Sequence, residues 1–317
     1  LLYFIHPVRD VYQNPFSYFD ESRFLFLDGA LMSAVPSHVE IKDMIYFALL
    51  SHPNPSRILV IGCGDGDLIT SALADPRIQR IDHVEIDPAV VTFARRYIPE
   101  QNTFQGRSIW ENPRVRLHFA DGRQFISESR DLYDIIIVDV LHISHEMSGP
   151  FYTVEFMKLI NAHLNPGGLF LTHVLYDRPW VSSPDGLVSR SSLAAELIAV
   201  RTAQAVFGKH VYFLSPYLWT DSQERGDNVR VRLVLVAKEH LRITEPEVEK
   251  RYQLVSPSPK WLDPTRFFRW IRGAYRLPDL SELPVSTDNC PAILFASRWK
   301  DSPVVRKMAL SRPVFEF

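Results

Sequence analysis

The stretch Arg57-Ile58-Leu59-Val60-Ile61-Gly62-Cys63-Gly64-Asp65-Gly66-Asp67-Leu68-Ile69 decides the fold. An apolar run goes straight into a glycine-rich turn, and an apolar-periodic segment, Leu68 to Leu73, comes next. That order predicts a buried parallel strand, a tight turn and the start of a helix. Gly62, Gly64 and Gly66 are free to take positive φ and to let a ligand approach the backbone. The unpaired N–H groups of a helix start face the same place. A glycine-rich turn also serves dinucleotide enzymes and plain packing. The next strand narrows the choice. It runs from Ile81 to Ile86 and ends in Glu85-Ile86-Asp87, about twenty residues past the turn, where an acid can accept hydrogen bonds from both ribose hydroxyls of a nucleoside.

Working outward, strands are expected at 57–61, 81–86, 114–119, 133–138 and 168–174, and helices at 67–75, 88–98, 121–129 and 151–164. Such alternation predicts an α/β fold, a parallel sheet with helices on both faces. In open sheets of this kind the ligand sits off the carboxyl ends of the strands. Asp65, Glu85, Asp121 and Asp139 all fall at such ends. One such acid reads as a helix cap; four in register with a glycine turn read as a shared ligand site.

Ahead of this unit, Val11-Tyr12-Gln13, Arg23 to Leu27 and the turn signal Asp28-Gly29 predict a small antiparallel β unit. An amphipathic helix over 38–50 comes next and is ended by Pro53 and Pro55. Behind the main unit, Asn165-Pro166-Gly167-Gly168 is a turn, 176–190 a loop, 191–207 a helix, and 210–215 with 230–237 an antiparallel pair. The charged, aromatic segment 244–290 has no assignment. Two domains result: 1–50, the N-terminal β unit and linking helix, and 51–317, the nucleoside-binding domain with a C-terminal extension.

Composition bounds the function. Hydrophobic residues at 46% and charged residues at 23% suit a soluble globular protein. A net charge of −2 argues against a nucleic-acid partner. The cysteines, Cys63 and Cys290, do not form a disulfide scaffold, so a reducing, cytoplasmic setting is expected. No apolar run is long enough to span a bilayer. The chain opens at Leu1-Leu2-Tyr3 without Met, and membrane association is expected only if an upstream segment is missing.

Several motifs together resemble the spermidine synthases. They are Ser51-His52-Pro53-Asn54-Pro55, Gly62-Cys63-Gly64-Asp65-Gly66, Val84-Glu85-Ile86-Asp87, Asp121-Gly122 and Tyr133-Asp134-Ile135-Ile136, in the right order and spacing. The resemblance runs from about residue 10 to residue 174. Phe151 to Phe156 and Ser286 to Pro291 are more similar to bacterial spermidine synthase-like proteins that often carry a membrane part. The resemblance implies a Rossmann-like class I methyltransferase fold that binds decarboxylated S-adenosylmethionine or S-adenosylmethionine, with no metal. Carried over by position, Gly62, Gly64 and Gly66 would form the turn against the nucleoside. Glu85 and its neighbour Ile86 would hold the ribose, and Asp121-Gly122 would meet the adenine. Asp65 would hold the terminal amine of the aminopropyl arm, and Asp139 would line the site. A small-molecule amine or related nucleophile is the implied partner, and a homodimer the implied assembly.

The departures are as informative. The family's Asp three residues beyond the position of Asp139 is His142 here, and its Tyr-Gln-Glu or Tyr-His-Glu is Ile41-Lys42-Asp43. The family's polyamine loop has its nearest candidate in Ser215-Pro216-Tyr217-Leu218-Trp219. His142 reads equally as the general base and as a loop histidine without a role. Tyr152 is a candidate wall of the acceptor pocket, while Phe151, Phe156 and Leu159 at helical spacing favour core packing there. His142, His145 and Glu146 lack the helical support and the further spaced ligand of a metal site. Asp67, where the family carries Gly, would charge the helix start. Three functions stay open: an aminopropyltransferase on an amine other than putrescine, an S-adenosylmethionine-dependent methyltransferase, and a noncatalytic nucleoside-binding domain.

Overall fold

The computed structural model describes residues 2–5, 23–27, 30–35, 44–140, 143, 146–177, 190–214, 217–218, 229–255, 263–272 and 277–310. Three antiparallel strands come first, β1 (Leu2–Ile5), β2 (Arg23–Leu27) and β3 (Ala30–Val35), in the order β1-β2-β3. The expected antiparallel unit is there. Val11-Tyr12-Gln13 and the Asp28-Gly29 turn lie outside the described residues.

Next comes α1 (Ile45–Ser51), the described end of the linking helix. Every residue from Met44 to Ser51 is buried, not one face of them. A helix that is apolar all round belongs inside a protein, and α1 is part of the core of the main unit. Its carboxyl end is closed by two distant guanidinium groups. Arg77 Nη2 donates to Leu49 O at 2.9 Å, and Arg251 Nη1 donates to Leu50 O at 2.8 Å and Ser51 O at 3.2 Å. Helix ends leave such carbonyls without partners, and here two arginines supply them, Arg251 from within the core.

The main unit then alternates as expected. β4 (Arg57–Gly62) leads to α2 (Asp67–Leu73), β5 (Arg80–Glu85) to α3 (Pro88–Tyr97). A two-residue hairpin, β6 (Thr103–Phe104) and β7 (Arg107–Ser108), precedes β8 (Val115–Phe119) and α4 (Gly122–Glu128). β9 (Tyr133–Asp139), a 3-10 segment Glu146–Tyr152, α5 (Val154–His163) and β10 (Leu164–Asp177) come after. The single helix expected over 151–164 is thus split, because Thr153 takes extended backbone and its hydroxyl caps α5 through Phe156 N. The expected turn at Asn165 to Gly168 is an irregularity inside β10, where the pairing shifts between Leu164 and Leu169.

α6 (Arg190–Phe207), β11 (Val211–Leu214), β12 (Tyr217–Leu218) and β13 (Val229–Ala237) complete the sheet. The strand order is β11-β13-β10-β9-β4-β5-β8, with β12 on β13. The pairs from β8 to β10 are parallel, and β13 is antiparallel to both β10 and β11. β4 is interior, and the order reverses between β4 and β9, the kind of crevice where ligands bind in open α/β sheets. Ile58 and Val60 face one apolar cluster, Leu59 and Ile61 the other. Both faces are covered, which is why these strands read as unbroken apolar runs. At the opposite, amino end, Asp134 Oδ2 accepts from Ser56 N at 2.8 Å and Arg57 N at 2.9 Å. The Tyr-Asp pair of the sequence motif is a clamp between strands there.

The unassigned 244–290 segment contains α7 (Glu245–Leu254) and α8 (Pro264–Arg272), and α9 (Pro303–Leu310) ends the described chain. α7 starts in a capping box, with Glu247 Oε2 accepting from Thr244 N at 3.1 Å. Ser286 ties the later segment down. Its carbonyl accepts from Val154 N at 2.8 Å and its N–H donates to Thr202 Oγ1 at 2.9 Å. Arg123 and Asp288 form an ion pair alongside. Among the described residues no helix is long and apolar enough to cross a membrane.

Candidate active site

Strand register gathers the expected residues on one edge. Ile61 pairs with both Val84 and Val138, so Gly62, Glu85 and Asp139 end their strands side by side. The turn after β4 is built on close approach. Gly62 has φ +86°, and a Cβ there would stand 1.9 Å from Asp139 O. Cys63 also has positive φ, 59°, and its N–H donates to Asp139 O at 3.0 Å. A non-glycine residue in that region is uncommon and costs backbone energy. Gly66 N closes the turn on Cys63 O at 2.9 Å, and Gly66 precedes α2.

The turn is held from beneath by His83, a residue with no motif around it in the sequence. Fully buried on β5, His83 places Nε2 at 2.9 Å from Gly62 O, and Trp110 Nε1 donates to His83 Nδ1 at 3.0 Å. An indole N–H only donates, so Nδ1 accepts and Nε2 carries the proton toward Gly62. Burial pushes the His83 imidazole down to about 4, against the weaker pull of the Gly62 carbonyl, so it is neutral at pH 7.

Glu85 is 7% exposed, and its Oε1 accepts from Asp87 N at 3.0 Å. Burial raises its pKa, and the backbone hydrogen bonds oppose that shift. A Cβ on Gly64 would lie 2.7 Å from Glu85 Oε2, so only glycine leaves the carboxylate where it is. Ile86 and Phe119 are 58% and 52% exposed, apolar surface at the ends of adjacent strands. Asp121 caps α4, with Oδ1 accepting from Arg123 N and Gln124 N. Gly122 lets that helix touch β4, since a Cβ there would stand 2.2 Å from Ile61 Cγ2.

Acids converge over the turn. The Cys63 thiol lies 3.5 Å from Asp65 Oδ1 and 3.4 Å from Asp67 Oδ1. Asp67 is buried, and burial first, then the charges of Asp65 and Asp139, push its carboxyl well above the usual carboxylate range. Burial first, then the charges of Asp67, Asp65 and Asp139, likewise raise the Cys63 thiol. The three donor atoms lie within 4.8 Å of one another, close enough for one cation. A soft metal needs a thiolate, which this setting opposes; an ammonium needs only acceptors.

Tyr152 is buried, and its hydroxyl donates to His173 O at 3.0 Å and lies 3.3 Å from Thr172 Oγ1. Burial pushes the phenol up to about 12. The side chain therefore secures β10 beside Asp139 and is not an open pocket wall. His142 and His145 lie outside the described residues, as do Lys42 and Ser215-Pro216.

Replacing Glu85 with Ala is expected to weaken methylthioadenosine binding by about 1.5–3 kcal/mol, the range for a lost hydrogen bond to a charged group. Calorimetry checks it, and unchanged affinity would put the nucleoside elsewhere.

Comparisons with known proteins agree with this geometry. The Spermine/spermidine synthase domain matches residues 37–191. A polyamine aminopropyltransferase of Bacillus cereus is 33% identical over 160 residues, 49% of this chain and 54% of that protein. A spermidine synthase of Dictyostelium discoideum is 30% identical over 172 residues, 52% of this chain and 57% of that protein. The chain thus spans about half the length of the curated relatives it matches. Two solved structures share the fold. A spermidine synthase in complex with the transition state analogue AdoDATO has TM-score 0.63 at 18% identity, over 82% of this chain and 80% of that one. The spermidine synthase from Thermotoga maritima has TM-score 0.60 at 17% identity, over 78% and 76%. With the glycine turn, the acid at the end of β5 and the strand order in place, residues 37–191 are similar to the spermine/spermidine synthase domain, and the chain shares the fold of the solved spermidine synthases.

Proposed function

We propose that this protein transfers an aminopropyl group from decarboxylated S-adenosylmethionine to a small amine other than putrescine. The observation that carries the reading is the convergence of Asp65, Asp67 and Asp139 around Cys63. Acids there attract an ammonium and repel a carboxylate, so they suit an arm that has lost its carboxylate. The donor supplies a carbon made electrophilic by the neighbouring sulfonium. Glu85 takes the ribose hydroxyls, Ile86 and Phe119 cover the faces of the base, and Asp121 and Gly122 border it. Asp65 and Asp67 take the terminal amine. Burial and the charges of Asp65 and Asp139 raise the Asp67 carboxyl in the empty site, and an arriving ammonium pulls it back toward the ionised form. Asp139 faces the acceptor, and Tyr152 fixes the strand beside it. His142, at the family's base position, is a second candidate to receive the acceptor's proton.

The test is Asp65→Asn. Affinity for the decarboxylated donor should fall by about 1.5–3 kcal/mol, the range for hydrogen bonds to charged groups, while methylthioadenosine, which lacks the amine, should bind as before. Equal weakening of both would remove Asp65 from the arm. Tighter binding of intact S-adenosylmethionine by the wild type would overturn the reading. The acceptor has its own test. Lys42 stands where the family has a neutral or acidic group, and a second ammonium within a few ångströms of it is repelled by about 1 kcal/mol in water and several in a less polar cleft. Putrescine turnover should stay below about 1 s⁻¹, and a monoamine should do better. Putrescine turnover at or above that rate would reject the exclusion.

A further inference from the structure

We infer that His173 accepts the proton of the attacking amine, oriented by Asp139. The inference rests on the reaction proposed above and names a residue for one of its steps.

The placement comes from the strand ladder. Thr172 pairs with Val138 in the parallel register of β10 and β9, so His173 stands level with Asp139 on the ligand edge. His173 Nδ1 lies 3.1 Å from Asp139 Oδ1. That nitrogen is buried and has no formed hydrogen bond among the described residues, so the nearby carboxylate is off the line of a formed bond and waits on a small adjustment. Both side chains keep some contact with solvent, 15% for His173 and 19% for Asp139. Neither is sealed away from a substrate.

The backbone around His173 is set for that position. On its other side β10 pairs with β13, and the register slips directly after it: His173 faces Leu233, while Leu175 faces Arg232. One extra residue, Val174, is accommodated on β10. Such bulges bend a strand and re-aim a side chain, and they gather next to active sites. The His173 carbonyl is held by the Tyr152 hydroxyl at 3.0 Å, and Thr172 Oγ1 donates to Val138 O at 3.0 Å. The backbone on both sides of the imidazole is therefore pinned. Among the described charged groups, Asp139 is the one in contact, and its charge reaches Asp67 and Cys63 of the glycine turn on the β4 side.

The chemistry comes from the pairing. A carboxylate opposite Nδ1 favours the tautomer with hydrogen on Nδ1, which leaves the Nε2 lone pair open. An amine at neutral pH arrives as an ammonium and has no lone pair to attack with. Its proton passes to Nε2, and the imidazolium formed is stabilised by Asp139. The freed nitrogen pair forms the N–C bond as the C–S bond breaks, and the C–S pair goes to sulfur, leaving a neutral thioether. The product nitrogen carries the positive charge the sulfonium had, and the imidazolium returns its proton to water.

The experiment uses the whole chain with His173→Gln, His173→Ala and Asp139→Asn. Single-turnover transfer in His173→Gln should fall about 10²–10⁴-fold, the usual contribution of a positioned base. Methylthioadenosine affinity should stay within about twofold, since the proposed nucleoside contacts are at the ends of β4, β5 and β8 and not on β10. The acid limb of the pH–rate profile should flatten, and added imidazole should restore part of the rate in His173→Ala. Nitrogen NMR of the imidazole should show the Nδ1-protonated tautomer with methylthioadenosine bound, and Asp139→Asn should abolish it. A His173→Gln protein that keeps its rate and acid limb, or an imidazole in the Nε2-protonated tautomer, overturns the inference alone. A wild type that transfers to no amine overturns the reaction as well.

Discussion

Gly62→Ala is expected to cost about 2–5 kcal/mol of stability. The positive φ of 86° accounts for about 1–2 kcal/mol of this, since any Cβ is disfavoured there. The remainder comes from contact. The new Cβ would stand 1.9 Å from the carbonyl oxygen of Asp139, and backbone cannot swing aside as a side-chain tip can. Forcing extra volume into a tight site costs about 1–3 kcal/mol. Relief would require pulling β4 from β9 and breaking the Cys63 N–H bond to Asp139 O. A domain holds about 5–15 kcal/mol in total, so the loss is a large share of it. Gly167→Ala is the control: φ is +72°, yet nothing lies within 4 Å, so only the backbone cost applies. Urea midpoints of the two variants separate strain from collision. Equal midpoints would mean that β4 and β9 yield easily.

Mild acid is expected to destabilise the protein between about pH 6.5 and pH 4. His83 has its pKa lowered from 6.5 to about 4 by burial, and His52 likewise, also by burial first. For a base lowered in the folded state, the unfolded chain binds the proton first. Stability is then complete above the unfolded value, falls as pH drops below it, and is fully lost at the folded value. At 1.36 kcal/mol per unit, His83 alone accounts for about 3 kcal/mol. His52, also buried, adds in the same direction. Carboxylates such as Asp67, raised by burial, act the opposite way and gain stability as pH falls, so the net curve is read against His83→Gln. That variant should show a shallower loss from pH 7.5 to 4.5 in urea titrations. An unchanged slope would mean that the imidazole is not held neutral.

The fold was legible because its signals are local. The apolar run before Gly62 and the acid at Glu85 each speak within a few residues, and alternation of strand and helix supplied the rest. The capping box of α7 is written in the sequence too, as Thr244-Glu245-Pro246-Glu247, but the charged residues around it present no apolar stripe to mark a helix. His83 and His173 were harder. Each sits inside a buried strand, where a lone histidine reads as a tolerated core residue. Their partners, Trp110 and Asp139, are fixed by register between strands that no local window contains. Asp121 read as part of a ligand site, and the structure shows it capping α4, since an acid at a strand end also begins the next helix. Tyr152 read both as a pocket wall and as core packing, the helical spacing of Phe151, Phe156 and Leu159 favoured the second, and the side chain is buried.

The closure of α1 has a consequence in time. Arg251 is 201 residues from Leu50, whose carbonyl it meets. On a ribosome adding about 5–20 residues per second, the helix end waits about 10–40 s for that guanidinium. Arg77 comes sooner and covers Leu49, but the last carbonyls and the apolar flanks of α1 stay open meanwhile. The nascent chain thus displays a short oily helix while those residues are made, and a chain stopped before residue 251 keeps displaying it. Chaperone capture should be strongest in that interval and end when α7 emerges.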